Sequence, residues 1–316
     1  MKRADFRTRM QICFFAAVCA LSLQARAAVY YVTVAGLGGE PDYEQRFTAA
    51  AKDLDKVFKG VDGTAHVYTL SGAHATAAQF KDTLGTVARE AKVEDDFVLI
   101  LIGHGSFDGV EYKFNLVGPD VTGSEIAEMC DRIPSRRQLV VNTTSASGGA
   151  IQALERPGRA VIAATKSGTE KNATVFARYW VEALQDPAAD SDKSESISAM
   201  EAFNYATTKT TAFYDSQKRL ATEHAVFDDV GRGEPVRVSG SGQGAMMSSF
   251  TLLRLGASQQ AANDPTKRAL LAQKEELEQK IDILKYQKAA MDPVEYKKQL
   301  TAALLELAKV QEGLDK

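Results

Sequence analysis

Short apolar runs alternate with amphipathic stretches along most of the chain, and that alternation predicts its elements. Val29-Tyr-Tyr-Val-Thr-Val34 is β-branched and aromatic and ends at Gly36, Gly38 and Gly39, the signature of a strand running into a loop. Tyr43 to Phe58 has the spacing of a helix, His66 to Leu70 reads as a strand, and Ala75 to Ala91 as a second helix. Phe97-Val-Leu-Ile-Leu-Ile102 is apolar without interruption, as expected for a strand covered on both faces. Gln138-Leu-Val-Val141 and Ala160-Val-Ile-Ala163 repeat that signal, with helical stretches near 124–131 and 173–184. Strands alternating with helices predict an α/β fold: a mostly parallel sheet, sandwiched by helices on both faces.

The tail has a different pattern. From Asp264 to Glu312 there is no glycine, and Leu270, Leu277, Leu284 and Met291 recur every seven residues with Ile281 between them. After Asp292-Pro293, a helix-starting pair, Leu300, Leu304, Leu307 and Leu314 continue at helical spacing. This predicts a C-terminal helical hairpin or short coiled coil over 257–316, suited to self-association, partner docking or covering a site.

The first 27 residues change the arithmetic of the rest. Lys2, Arg3, Arg7 and Arg9 precede an apolar run from Ile12 to Leu23, followed by Ala25-Arg26-Ala27. That is the layout of a secretory signal, with cleavage after Ala27 and a secreted or periplasmic product. Its removal shifts the formal charge from −3 to −7 and leaves Cys130 as the only one of three cysteines. The mature chain therefore holds no internal disulfide. The acidic balance offers nothing to nucleic acid, and no later run is long and apolar enough to span a bilayer. The chain thus divides into a signal (1–27), an α/β domain (28–256) and the tail (257–316).

In parallel sheets chemistry gathers where the strands' carboxyl ends meet the loops. The loop 35–39 lacks the third glycine of a dinucleotide cradle, Pro41 standing in its place. Ile102-Gly-His-Gly-Ser-Phe-Asp-Gly109 follows the most apolar strand, and Val141-Asn-Thr-Thr-Ser-Ala-Ser-Gly-Gly149 follows the next. Neighbouring strands thereby deliver a histidine and a hydroxyl cluster to one edge, the convergence that a base and a nucleophile need. G-x-S-x-G is absent.

A buried strand ending in His-Gly, then one ending in nucleophile-x-Ser-Gly, resembles the legumain-type cysteine peptidases, which share the caspase fold. The resemblance covers about residues 29–185 and implies a caspase-like sandwich that handles peptide or protein chains. In legumains the second strand ends Glu-Ala-Cys-Glu-Ser-Gly. Here Thr143 stands at the Asn-selecting glutamate, Ser145 at the catalytic cysteine and Gly103 at the aspartate before the histidine. The resemblance implies His104 as general base and acid, Ser145 as nucleophile, and the N–H groups of Gly105 and Ser145 as oxyanion donors. It also implies a substrate pocket walled by Thr143, Thr165 and Ser167. A hydroxyl, unlike a thiol, needs a base within hydrogen-bond reach. The exchange therefore leaves two readings: an exported hydrolase working through a His104/Ser145 dyad, or an inactive pseudopeptidase that binds peptides or acts as a scaffold. Neither requires a cofactor.

Asp190-Ser-Asp-Lys-Ser-Glu-Ser-Ile-Ser-Ala-Met-Glu201 also has calcium-loop spacing. Asp190, Asp192, Ser194, the Ser196 carbonyl and Glu201 fall at ligand positions for a weak extracellular-type site. Glu195 occupies the turn position that favours glycine. The alternative is that Ser198 and Glu201 form a capping box on the following helix. Residues 227–244, rich in glycine and serine around Asp228 and Asp229, read as a flexible loop. His66, His74 and His224 show no ligand spacing.

Overall fold

The structure, a computed structural model, describes residues 27–61, 64–240 and 242–316. The signal segment 1–26 lies outside the described residues. The architecture is α/β. Six strands form the central sheet: β1 (Val29–Ala35), β2 (Ala65–Leu70) and β3 (Asp96–Ile102) come first along the chain. Three short strands, β4 (Gly105–Phe107), β5 (Tyr112–Phe114) and β6 (Val121–Thr122), make a separate antiparallel sheet between β3 and β7 (Arg137–Asn142). β8 (Arg159–Ala163), β9 (Ser196–Ser198), β10 (Val226–Asp228) and β11 (Thr251–Arg254) complete the set. The order in the main sheet is β10-β8-β7-β3-β1-β2, parallel throughout except for the edge strand β10, which runs antiparallel to β8. β9 and β11 pair apart from it.

Both faces of the sheet are covered, which is why its strands read as unbroken apolar runs. Along β3, Phe97, Leu99 and Leu101 enter one core with Phe80 and Leu84 of α2 (Ala77–Glu90) and Ile126 of α3 (Gly123–Asp131). Leu154, at the end of the short α4 (Ile151–Leu154), joins the same core. The alternate residues Val98, Ile100 and Ile102 enter the opposite core. There they meet Leu54 and Phe58 of α1 (Pro41–Lys59), Trp180 of α5 (Phe176–Ala183) and Phe203 of α6 (Ala199–Ser216). Buried aromatics on this scale each contribute a few kcal/mol of burial. Cys130 is itself fully buried, and burial pushes its thiol up to about 11.

Two expectations change. Among the described residues of the segment 227–244, the stretches bonded to Asp228 and Asp229 are not a loose loop. Asp228 and Asp229 are 1% and 5% exposed. Asp228 accepts from the backbone N–H groups of Val230, Gly231, Arg232 and Gly233, while Asp229 accepts from Gly244, Met246 and Met247 at the start of α7 (Ala245–Ser249). Carboxylates collecting amides in this way order a glycine-rich segment without regular structure.

The tail forms α8 (Gly256–Asn263), then the expected hairpin of α9 (Arg268–Gln287) and α10 (Pro293–Leu314), but its buried stripe departs from the simple heptad at its start, with Leu271 buried in place of Leu270. Leu271, Lys274, Leu277, Ile281 and Leu284 face inward on α9. The reason is that α9 has two partners at once, α10 and the body. Arg254 chelates Glu275 through Nε and Nη2, Ser248 hydrogen-bonds Tyr286, and the buried Lys274 ammonium donates to the Ser194 carbonyl. Among the described residues no helix is long and apolar enough to cross a membrane.

Candidate functional site

β3 and β7 are hydrogen-bonded neighbours in parallel register, with Leu101 opposite Asn142, so the loops that follow them open at the same sheet edge. The structure brings Gly105 and Ser145 into contact there, with His104 preceding Gly105 in the chain. The Ser145 Oγ donates to the Gly105 carbonyl and accepts from the Gly105 N–H, both at 3.2 Å. Ser145 is 3% exposed. The hydroxyl is thus engaged with backbone on both its proton and its lone pair. The Gly105 N–H, an expected oxyanion donor, already holds the nucleophile's own oxygen.

His104 is oriented elsewhere. Its ring packs edge-on against Tyr43 at 4.6 Å and Phe47 at 5.1 Å, both on α1, and hydrogen-bonds the Gly38 carbonyl. Burial lowers its pKa below 6.5; the Gly38 carbonyl opposes that shift and Arg46 adds to it. Its resting form is a neutral imidazole. Among the described residues no hydrogen bond joins His104 to Ser145.

Of the residues expected to line a pocket, Thr143 and Thr165 are buried and Ser167 is half-buried. Thr143 and Thr165 are 1% and 0% exposed. The Thr143 hydroxyl donates to the Leu101 carbonyl at 2.8 Å. Thr165 shares a hydrogen bond with Ser147, accepts from Gly148 N–H and donates to the Ser167 carbonyl. Ser167 Oγ meets Thr169 at 2.7 Å. The Thr165 hydroxyl therefore ties the loop after β8 to the loop after β7. The space between the two loops is filled: the Phe107 ring lies so close to Gly149 and Gly168 that a Cβ at either would sit 2.6 or 2.2 Å from it.

Sequence reasoning missed the groups that shape this loop from below. Asn142, fully buried, accepts through Oδ1 from Thr144 N–H and Thr144 Oγ1, and Tyr112 shares a 2.6 Å hydrogen bond with Thr144. Burial lifts the Tyr112 phenol far above its ordinary range. Ala146 sits at φ +55, a left-handed backbone that alanine rarely adopts, and its N–H donates to the Glu170 carbonyl. The Glu170 carboxylate in turn holds His224, through the ring Nδ1 at 2.5 Å and the backbone N–H at 3.1 Å, and also the Lys166 N–H. Glu170 and His224 are 54 residues apart, and no local pattern signals the pair.

The acidic loop is a second cluster. Carboxylate oxygens of Asp190, Asp192 and Glu201 lie within 4.8 Å of one another, the hard-oxygen chemistry that calcium takes. They are already engaged. Asp190 accepts from the N–H groups of Ser194 and Glu195, and Asp192 from Ser194. Glu201 accepts from Ser191 through one oxygen and from Ser198 through the other, completing the capping box. Ser194 and Ser196 hydrogen-bond each other through their hydroxyls. Glu195 takes φ +63, the turn that glycine would hold without strain.

A cavity of about 790 Å³ opens at the other end of the sheet, lined by the strand starts Val29, Asp96 and Arg137 together with Glu278 and Asp282 of α9.

No family model matches the chain, and no curated protein matches it. Among solved structures, protein GSU0716 from Geobacter sulfurreducens is 13% identical with a TM-score of 0.45, covering 73% of this chain and 99% of that one. The Drosophila initiator caspase Dronc is likewise 13% identical with a TM-score of 0.45, covering 71% and 84%. Caspase-1 from Spodoptera frugiperda is 9% identical with a TM-score of 0.43, covering 65% and 86%. At this level of likeness none of them assigns a family or an activity to the chain.

Proposed function

We propose that this chain is a non-hydrolytic relative of the legumain-type peptidases, an exported protein that binds peptide or protein segments or serves as a scaffold. The observation that carries the reading is the Ser145 hydroxyl, bonded to both the N–H and the carbonyl of Gly105 while the His104 imidazole is held by Gly38 and two aromatic rings. Serine attacks a carbonyl only when a base takes its proton, and a peptide carbonyl is no base. The filling of the inter-loop space by Phe107 supports the same reading.

The second reading, hydrolysis through a His104/Ser145 dyad, is favoured by one observation. A neutral His104 bonded to Gly38 through one ring nitrogen keeps the other free to accept a proton. A fluorophosphonate or peptidyl-electrophile probe on the mature protein separates the two. The expected result is no labelling. Labelling that vanishes in both Ser145→Ala and His104→Ala establishes the hydrolase instead.

Calcium on Asp190, Asp192, Ser194, Ser196 and Glu201 is a separate proposal, supported by the convergence of three carboxylates. Because those oxygens must give up amide partners, the expected affinity is in the 10⁻⁴–10⁻³ M range of extracellular modules. Calorimetric titration tests it, and absence of heat in wild-type that matches Asp192→Ala removes the site.

A further inference from the structure

The sequence places a cleavage after Ala27, and the structure shows what receives the new end. The Ala28 backbone nitrogen lies 2.8 Å from Asp95 Oδ1, and the other Asp95 oxygen accepts from the Lys92 N–H at 2.7 Å. Asp95 is 5% exposed. Among the described residues no lysine, arginine or histidine side chain makes an ion pair with it; Arg137, on the neighbouring strand, is chelated by Asp96 through two hydrogen bonds of 2.8 and 2.9 Å. A carboxylate this buried, facing only amide donors, has an uncompensated charge. Ala27, one residue earlier, is exposed.

We propose that Asp95 is a built acceptor for the mature N-terminus: removal of residues 1–27 turns the Ala28 amide into an α-ammonium that forms an ion pair with Asp95 and locks the start of β1 onto β3. The inference rests on the reading of Ala25-Arg26-Ala27 as a cleavage signal, with alanine at the first and third positions before the cut. The step is hydrolysis of the Ala27–Ala28 peptide bond by water, catalysed by a peptidase that accepts small residues at those positions. Water's oxygen stays with the Ala27 carboxylate, and the released amine takes up a proton. Cleavage accompanies export, before folding, so the bond need not be reachable in the folded chain. Afterwards the same atom that donated as an amide donates as a cation, a change that about doubles the strength of such a bond.

The surrounding geometry suits the exchange. The Ala28 carbonyl accepts from Asp96 N–H at 2.9 Å, which fixes the nitrogen beside Asp95 from the far side of the same residue. The charged and titratable groups near it are Glu94 and Asp95 in the turn before β3, Glu90 at the end of α2, Arg136 and the Asp96–Arg137 pair at the starts of β3 and β7, Tyr30 on β1, and His66 on β2, stacked on Tyr30. An α-amine has a pKa near 8 when free. With Asp95 beside it the folded value rises above that, so its stabilisation is complete below about pH 8 and is lost as pH climbs through the folded value.

The test uses the exported protein as the host makes it. N-terminal sequencing should begin at Ala28; any other first residue overturns the proposal. Selective acetylation of the α-amine should raise the unfolding equilibrium constant about tenfold at pH 6.5, one pKa unit's worth of interaction, and leave it unchanged at pH 10. Equal constants for free and acetylated protein at pH 6.5 also overturn it. In Asp95→Asn the effect of acetylation should disappear, and its persistence there assigns the amine to another partner. If Asp95→Asn does not fold, the free-versus-acetylated comparison on the unaltered chain decides alone.

Discussion

The two edges of the central sheet carry opposite kinds of unfinished business. At the carboxyl edge the residues for chemistry are present, but their hydrogen bonds are closed. Ser145 is bound to Gly105, Thr143 to Leu101, Thr165 to Ser147 and Ser167, and Phe107 fills the space between the loops. At the amino edge there is no catalytic motif, but there is space and unsettled charge. A cavity of about 790 Å³ lies between the strand starts and α9, and two carboxylates there, the buried Asp95 and the half-buried Glu278, have incomplete cationic partners. In open parallel sheets ligands are expected at the carboxyl edge. Here the serine loop of that edge, 142–147, is buried like a core. The comparison teaches that delivering a histidine and a hydroxyl to one edge specifies a site only if room for a substrate is kept between them.

The sharpest way to break the comparison is Gly105→Ala. The residue has ordinary backbone angles, so strain plays no part, but a Cβ there would stand 2.6 Å from each of the Ser145 carbonyl, Thr144 Oγ1 and the Tyr112 ring. Two of the three obstacles belong to the serine loop and the third is a fully buried ring held by Thr144 and Asn142, so none can give way alone. Overpacking a closed core costs about 1–3 kcal/mol, and forcing apart a hydrogen-bonded loop adds to it. We expect a loss of about 3 kcal/mol or more, read by chemical denaturation. A near-neutral outcome would mean that the carboxyl edge is loose enough to open for a substrate, and the hydrolase reading would gain.

Much of this contrast was legible in the chain itself, and unevenly so. The parallel sheet declared itself because residues 97–102, buried on both faces, leave no polar position to break the run. The C-terminal hairpin was equally plain from the glycine-free helical spacing and the Asp292 cap on Val294 and Glu295. The approach of the Gly105 loop to Ser145 followed from the pairing of β3 with β7, but nothing in the strand order showed that the His104 ring would turn to Tyr43 and Phe47. What stayed hidden depends on contacts far apart in sequence. Nothing near Glu170 announces His224, and nothing near Ala28 announces Asp95, 67 positions away. Phe107 in a short apolar-poor loop gave no sign that it would occupy the gap between Gly149 and Gly168, because that requires β4 to fold back on β5. The α9 stripe was misread by one position at its start, Leu271 facing in rather than Leu270, because spacing within a helix does not reveal that the body as well as α10 will cover it. The glycine-rich segment after Asp228 looked loose for a similar reason: a carboxylate's appetite for backbone amides leaves no periodic trace.

A smaller effect sharpens the other half of the comparison. Glu278 of α9 faces the cavity with its side chain 28% exposed, and its carboxyl is pushed up to about 7. Burial is the main cause, partly offset by Lys274, with Asp192, Glu275 and Asp282 adding repulsion. Lys274 cannot settle it, since its ammonium is 3.9 Å away and donates to the Ser194 carbonyl instead. Asp282 and Glu275 have their own partners in Lys285 and Arg254. An acid whose folded pKa is raised binds its proton more tightly folded than unfolded. Stability is therefore highest below about pH 4.5, declines as pH rises toward 7, and stays at the lower level above that. The full shift would correspond to about 3 kcal/mol, but water reaches part of the group and screens it, so roughly 1 kcal/mol is expected. Glu278→Gln keeps the shape and removes the ionisation. At pH 8 it should raise the melting temperature by about 2–4 °C, and at pH 4.5 it should match the unaltered chain. An equal gain at both pH values would trace the effect to packing of α9, and no gain at pH 8 would mean that the amino edge holds its charges as comfortably as the carboxyl edge holds its hydroxyls.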